Sequence, residues 1–244
     1  VEGSATSLDY TSLSSAVNAS IAANADPGFS FNGTTLSYSA PVTDFNATYD
    51  SSGSTYAEND IGVTGFNLNL GDDGIGFRPL GFEFDFYGVT VDTVFISANG
   101  YVTFGSPVDL PANQALDGSA FGGRPAIAAL WDDLRAGSGS VLYQSGVDAF
   151  GGNQAIIQWQ DVEHEGGGGG TANFQMIISE SDRSVRINYD NLGLGGMFND
   201  GGSATVGVEG PGGMFTQYQV NGSAPLNSGS SIVFAPQPTV TPTL

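Results

Sequence analysis

From Phe29 onward the hydrophobic pattern of this chain repeats with period two. Phe29-Ser30-Phe31, then Asn32-Gly33, then Thr34-Thr35-Leu36-Ser37-Tyr38 predicts a β-hairpin, with Asn-Gly supplying the positive φ angles of a type I′ turn. Residues 66–70 and 82–86 alternate in the same way. In the second of these, Phe82, Phe84 and Phe86 share one face of a strand and Glu83 and Asp85 the other. Residues 94–97, a turn at Asn99-Gly100 and residues 101–104 predict a second hairpin. Further strands are expected at 126–131, 141–144, 155–159, 173–178, 185–189, 205–208, 215–220 and 232–234. The first of these is apolar throughout, ends on Trp131 and reads as a buried central strand. About a dozen short segments separated by turn residues predict an all-β fold, a β-sandwich or jelly roll of antiparallel strands.

The ends break the pattern. Residues 1–27 are rich in Ser and Ala and lack aromatic alternation, with a short helix expected over 13–23. We read 1–27 as an N-terminal arm, 28–235 as the sandwich and 236–244 as a Pro/Thr-rich tail or linker. Gly166–Gly170 falls between two expected strands and reads as a flexible hairpin loop. A phosphate-cradling loop would need a following helix and usually a lysine, and neither is present.

Composition changes the picture mainly through charge. Hydrophobic residues are 40% of the 244, enough for a sizeable core, but charged residues are only 12%. The usual share is roughly 25%. The five basic residues are all arginine: Arg78, Arg124, Arg135, Arg183 and Arg186. A net charge of −20 argues against nucleic acid and anionic membrane surfaces, and is compatible with divalent cations. The absence of cysteine excludes disulfides, and the absence of lysine excludes Lys–Asn isopeptide staples. No stretch approaches the ~18 consecutive apolar residues of a transmembrane helix, so no membrane insertion is expected of this segment. A chain that starts at Val1 rather than Met leads us to expect a processed, secreted protein.

A series of segments then resembles the nidogen-type extracellular β domain and its relatives in prokaryotic surface proteins. It begins at Leu80-Gly81-Phe82-Glu83-Phe84-Asp85-Phe86-Tyr87-Gly88 and continues through Val94-Phe95-Ile96-Ser97-Ala98-Asn99-Gly100-Tyr101-Val102-Thr103-Phe104-Gly105. It recurs at Ala126-Ile127-Ala128-Ala129-Leu130-Trp131-Asp132-Asp133, Ala155-Ile156-Ile157-Gln158-Trp159, Arg186-Ile187-Asn188-Tyr189 and Thr205-Val206-Gly207-Val208-Glu209. The order and spacing hold over roughly residues 60–235. The resemblance implies an extracellular domain used in matrix assembly or adhesion, and it carries no catalytic residues across.

Candidate chemistry is sparse. His164 is the only histidine and lies in Asp161-Val162-Glu163-His164-Glu165. It could join a serine and a carboxylate, but the expected reading is a solvated hairpin end. For calcium, which takes six to eight oxygens, Asp132-Asp133 after the buried strand is the first candidate and Asp72-Asp73 the second. Neither pair has EF-hand spacing, and the plain alternative is a solvated acidic turn with Arg135 pairing the carboxylates. Asn18, Asn32, Asn46 and Asn221 begin glycosylation triplets.

These observations lead to an expected role without catalysis. The first expectation is a secreted structural protein of the cell surface or matrix that self-associates into a homopolymer, filament or sheath. Residues 1–27 are the candidate donor strand. The alternative is a carbohydrate- or calcium-dependent adhesive module of a larger surface protein, with glycans or other matrix proteins as partners. A secreted hydrolase would need converging carboxylates in a deep pocket.

Overall fold

The computed structural model describes residues 49–236, with side chains from residue 53 onward, and three short strands before them: Leu8–Asp9 (β1), Phe29–Phe31 (β2) and Thr35–Tyr38 (β3). Residues 48–237 form one compact unit, and residues 1–47 with 238–244 form another.

In the smaller unit, β1, β3 and β2 make a three-stranded antiparallel sheet. The expected hairpin is present but belongs to this sheet and not to the sandwich. Its register pairs Phe31 with Leu36, a longer connection than a two-residue Asn-Gly turn gives. Part of the expected donor arm is paired within the chain, Leu8 opposite Leu36 and Asp9 opposite Thr35. The rest of the arm, the helix expected over 13–23 and the tail from 237 onward lie outside the described residues.

The larger unit is a sandwich of two antiparallel sheets. The first contains, in spatial order, Tyr49–Ser54 (β4), Ser230–Pro236 (β17), Val185–Gly193 (β14), Thr171–Ser179 (β13), Asn153–His164 (β12), Ser140–Val147 (β11) and Phe66–Asn67 (β5). A short strand, Leu134–Arg135 (β10), also pairs with β12. The second sheet runs Phe215–Val220 (β16), Thr205–Glu209 (β15), Ala126–Trp131 (β9), Tyr101–Thr103 (β8), Val89–Ser97 (β7) and Ile75–Phe86 (β6).

The period-two pattern places the core between the sheets. Phe84, Phe86, Ile96, Ile127 and Val206 of the second sheet meet Trp159, Phe174, Ile187 and Phe234 of the first. Three aromatic side chains of the first sheet also donate hydrogen bonds to backbone carbonyls of the second: Trp159 Nε1 to Ser97 (2.9 Å), Tyr189 Oη to Ala129 (2.7 Å) and Tyr143 Oη to Pro79 (2.5 Å). Each aromatic thus buries its ring and satisfies its polar atom with one placement, which ties the layers in register.

Strand β9 is buried at all six positions because both of its faces are covered. Ala126, Ala128 and Trp131 point away from the main core, into a second cluster with Tyr101, Leu116, Ala120 and Phe121. That cluster is roofed by the loop 105–124. Tyr101 Oη donates to Val108 O, and Trp131 Nε1 donates to Leu110 O. The buried Glu209 carboxylate accepts from the amides of Ala120 and Phe121, both at 3.2 Å.

The turn between β7 and β8 is three residues long. Phe95 pairs with Thr103 and Ile96 with Val102, and Gly100 has φ +74° while Asn99 keeps a negative φ. This is the type I turn followed by a left-handed glycine, which suits the strand twist with one residue more than Asn-Gly alone.

Candidate functional site

At one end of the sandwich the fold gathers both predicted aspartate pairs. Asp72 and Asp73 lie in the turn before β6, Asp132 and Asp133 follow β9, and His164 and Glu165 end β12. Asn99, fully buried in the β7–β8 turn, is the hub. Its Nδ2 donates to Asp73 Oδ1 (2.9 Å), its Oδ1 accepts from Leu134 N (2.8 Å), and its backbone carbonyl accepts from Asp132 N (3.3 Å).

The His164 imidazole corrects the expectation of a solvated hairpin end. It is buried and stacks on the Phe198 ring with centroids 3.7 Å apart. Its Nε2 lies 3.2 Å from Asp132 Oδ1, and its Nδ1 accepts from Gly166 N at 2.9 Å. Asp132 Oδ2 accepts a short hydrogen bond from Ser203 Oγ. Serine, aspartate and histidine therefore meet with the carboxylate in the middle. A nucleophilic serine needs the imidazole against its hydroxyl. Here both ring nitrogens are engaged elsewhere, and the group acts as a buried clamp joining β12, the β9–β10 link and the loop before β15.

Arg135 also departs from expectation. It pairs with Glu163 (3.0 Å) and Glu165 (2.8 Å), not with the adjacent aspartates. Asp133 is pushed above the ordinary carboxylate range by partial burial and by Asp73, Asp72 and Glu165, against the pull of His164. Asp72 is raised by desolvation and by the charges of Asp73 and Glu165. Among the described residues, no three His, Asp or Glu side chains are grouped so as to hold a metal ion. Of the glycosylation candidates, Asn18, Asn32 and Asn46 lie outside the described side chains. Asn221 sits in an exposed turn and accepts from Asn113 Nδ2 at 3.1 Å.

A second constellation covers the outer face of the first sheet. Residues 55–65 leave β4 at one edge and reach β5 at the other, so this strap crosses every strand between them. It is held by a row of buried polar side chains on adjacent strands: Gln158 on β12, Gln175 on β13, Asn188 on β14 and Ser231 on β17. Gln158 Oε1 accepts from Ile61 N (2.9 Å), and its Nε2 donates to Asp60 Oδ1 (2.8 Å). Gln175 accepts from Asn59 N (3.0 Å) and donates to Asn59 O (2.6 Å), the two bonds a neighbouring strand would make. Asn188 Nδ2 donates to Ala57 O (3.0 Å), and Ser231 Oγ donates to Asn188 Oδ1 (2.5 Å). Ile61 is the strap's one buried apolar anchor, seated on Leu142, Ile156 and Ile177.

The profile of the family described as NIDO related matches residues 45–238, nearly the span of the larger compact unit. The chain belongs to the NIDO-related family. The match covers more than the resemblance legible over residues 60–235, because it includes β4 and the strap of this NIDO-related domain. No curated protein and no solved structure matches the chain.

The amide row of the NIDO-related domain was not foreseen from sequence. Its signal is a polar residue inside otherwise apolar strands: Gln158 between Ile157 and Trp159, Gln175 between Phe174 and Met176, Asn188 between Ile187 and Tyr189. Alternation alone assigns such residues to solvent.

Proposed function

We propose that this NIDO-related domain is an extracellular structural protein that self-associates in a filament, sheath or matrix, and that its role requires no catalysis. The observation that carries the reading is the outer edge of the second sheet. Strand β16, Phe215-Thr216-Gln217-Tyr218-Gln219-Val220, ends that sheet among the described residues and contains no charged residue and no proline. Natural edge strands are usually guarded by lysine, proline or a bulge, because an open row of backbone groups templates pairing with another chain. β16 has a bulge at Tyr218, where Gln219 faces Val206 and Gln217 faces Gly207, and on either side of it no charge or proline guards the edge. Phe215 is 46% exposed on this edge. Among the described residues no helix is long and apolar enough to cross a membrane, and nidogen-type domains are expected outside the cell.

Electron microscopy of the purified protein tests the reading. Wild type is expected to form ordered assemblies, and Phe215→Lys, which restores a guard charge, is expected to remain monomeric with an unchanged melting profile. Monodisperse wild-type protein at high concentration would overturn the proposal.

An adhesive, glycan-binding role has one observation in its favour. Phe66, 59% exposed, carries the Arg78 guanidinium over its ring at 4.1 Å. An exposed ring beside a guanidinium suits the apolar face and hydroxyls of a sugar. Glycan binding lost in Phe66→Ala would establish this second role.

A further inference from the structure

The strap, like the loop 105–124, is held largely by side chains of the sheet, but it lies on a row of amides instead of over an aromatic cluster. Apart from Asp60 on Gln158 and Thr64 on Gln144, its bonds to the row run from side chains of the sheet to its own backbone. Apart from Ile61, its side chains are exposed or half-buried. Little apolar area holds it down, and segments of this kind form the low-stability end of a fold. Of the strands on either side of it, one lies at a sheet edge and the other is very short. β4 is an edge strand paired on one side only, over all six of its residues with β17, and β5 pairs only two residues with β11.

The strap and its flanking strands end at a turn suited to be a hinge. Gly71 to Gly74 is a tight turn closed by Gly74 N to Gly71 O (3.0 Å), and Asp73 within it is left-handed at φ +54°. The turn holds Asp72 and Asp73 near Asp133 and Glu165, so like charges crowd the point where the chain would extend. Asn99 Nδ2 on Asp73 and Arg135, paired with Glu165, oppose this repulsion.

We propose that residues 49–70 exchange between copies of this chain, so that β4, the strap and β5 of one molecule seat on the Gln158–Gln175–Asn188–Ser231 row of another. This rests on the self-association reading above and adds to the β16 edge a second contact between copies, on the first sheet. Every bond made within one chain is remade between two, so the closed and exchanged forms differ only at the hinge and in the entropy of association. Exchange is therefore governed by concentration. The amide row suits it because amides that both donate and accept will take any extended backbone in register, as a strand-addition site does.

The chain has no cysteine, which makes the test direct. Thr64 on the strap and Gln144 on β11 are surface residues joined by a 2.7 Å hydrogen bond. Full-length Thr64→Cys and Gln144→Cys chains carrying different tags would be co-expressed, purified and treated with a short bismaleimide. The double variant in one chain serves as the control for reach. Exchange predicts heterotypic products that join the thiol at position 64 of one tagged chain to the thiol at position 144 of the other, with yield rising with protein concentration. Assemblies that lack this cross-link, while the double variant cross-links fully within one chain, would overturn exchange and leave self-association standing. Monomers at every concentration, again with complete cross-linking inside the double variant, would overturn both.

Discussion

A methyl group added at Gly100 would lie 2.1 Å from the Leu130 carbonyl oxygen, and φ there is +74°. The two constraints are independent. The left-handed backbone alone disfavours alanine by about 1–2 kcal/mol, and the clash forces the β7–β8 turn away from β9. Gly100 O also accepts from the amides of Ala129 and Leu130, both at 3.0 Å, so the turn cannot move without breaking them. Gly100→Ala should lower unfolding free energy by about 3 kcal/mol or more in a urea titration, among the larger single-residue effects. Asp132 carries a comparable load by a different route. Asp132→Ala leaves a buried imidazole, the Ser203 hydroxyl and the Asp133 amide without their acceptor. The expected loss is about 2–4 kcal/mol. Glu209 sets a pH dependence. Burial raises its carboxyl above the ordinary 4.5, outweighing the amides of Phe121 and Ala120 that pull it down. The folded state then holds the proton more tightly than the unfolded chain. That contribution to stability is complete below the unfolded value and is lost as pH rises through the folded one. Wild type should therefore gain stability relative to Glu209→Gln as pH falls from about 7 to about 4, read from paired melts.

The five-glycine connection between β12 and β13 is a packed element and not the loose loop its composition suggests. A Cβ at Gly170 would lie 1.8 Å from Gly193 O, and one at Gly168 would lie 2.1 Å from Leu194 O. Gly167 and Gly169 face open space, with φ +73° and +78°. Alanine should therefore act alternately along the run. At Gly169 it should cost only the ~1–2 kcal/mol of a left-handed backbone, and at Gly170 clearly more, because backbone meets backbone. Thermal melts of the two variants compare them directly. The strap is the other element whose role is side-chain made. Gln175→Ala should lower stability by about 2 kcal/mol and expose the Asn59 and Ile61 amides to rapid hydrogen exchange. Elements of these two kinds differ in how far sequence reveals them. Strands β9 and β16 were readable to the residue, since apolar runs and alternation are local properties of the chain. The convergence of Asp72-Asp73 with Asp132-Asp133 was not, because the pairs are brought together by turns on different strands. The Gln175–Asn59 pairing joins residues 116 apart and leaves no periodic trace. His164 looked solvated because its neighbours are acidic and glycine-rich, and the ring that buries it, Phe198, arrives from beyond two further strands.

For the molecule as a whole, a net charge of −20 with five arginines means that charge repulsion opposes the fold throughout. Added salt should raise Tm by screening it. Calcium should raise Tm no further than magnesium at equal concentration, because Asp132 and Asp73 already spend oxygens on His164, Ser203 and Asn99. A calcium-specific rise would instead mark a binding site. The ladder between β4 and β17 has a mechanical consequence. The larger unit begins and ends on these antiparallel neighbours, with Tyr49 opposite Pro236. Force applied between those two ends loads their hydrogen bonds one pair at a time, like a zipper, and not together in shear. In a pulling experiment the first event should be peeling of β4 from the Tyr49–Pro236 end at low force, followed by release of the strap, while the aromatic ties between the layers still hold. A domain loaded in this way yields length early under tension and keeps its core, as an elastic coupling does.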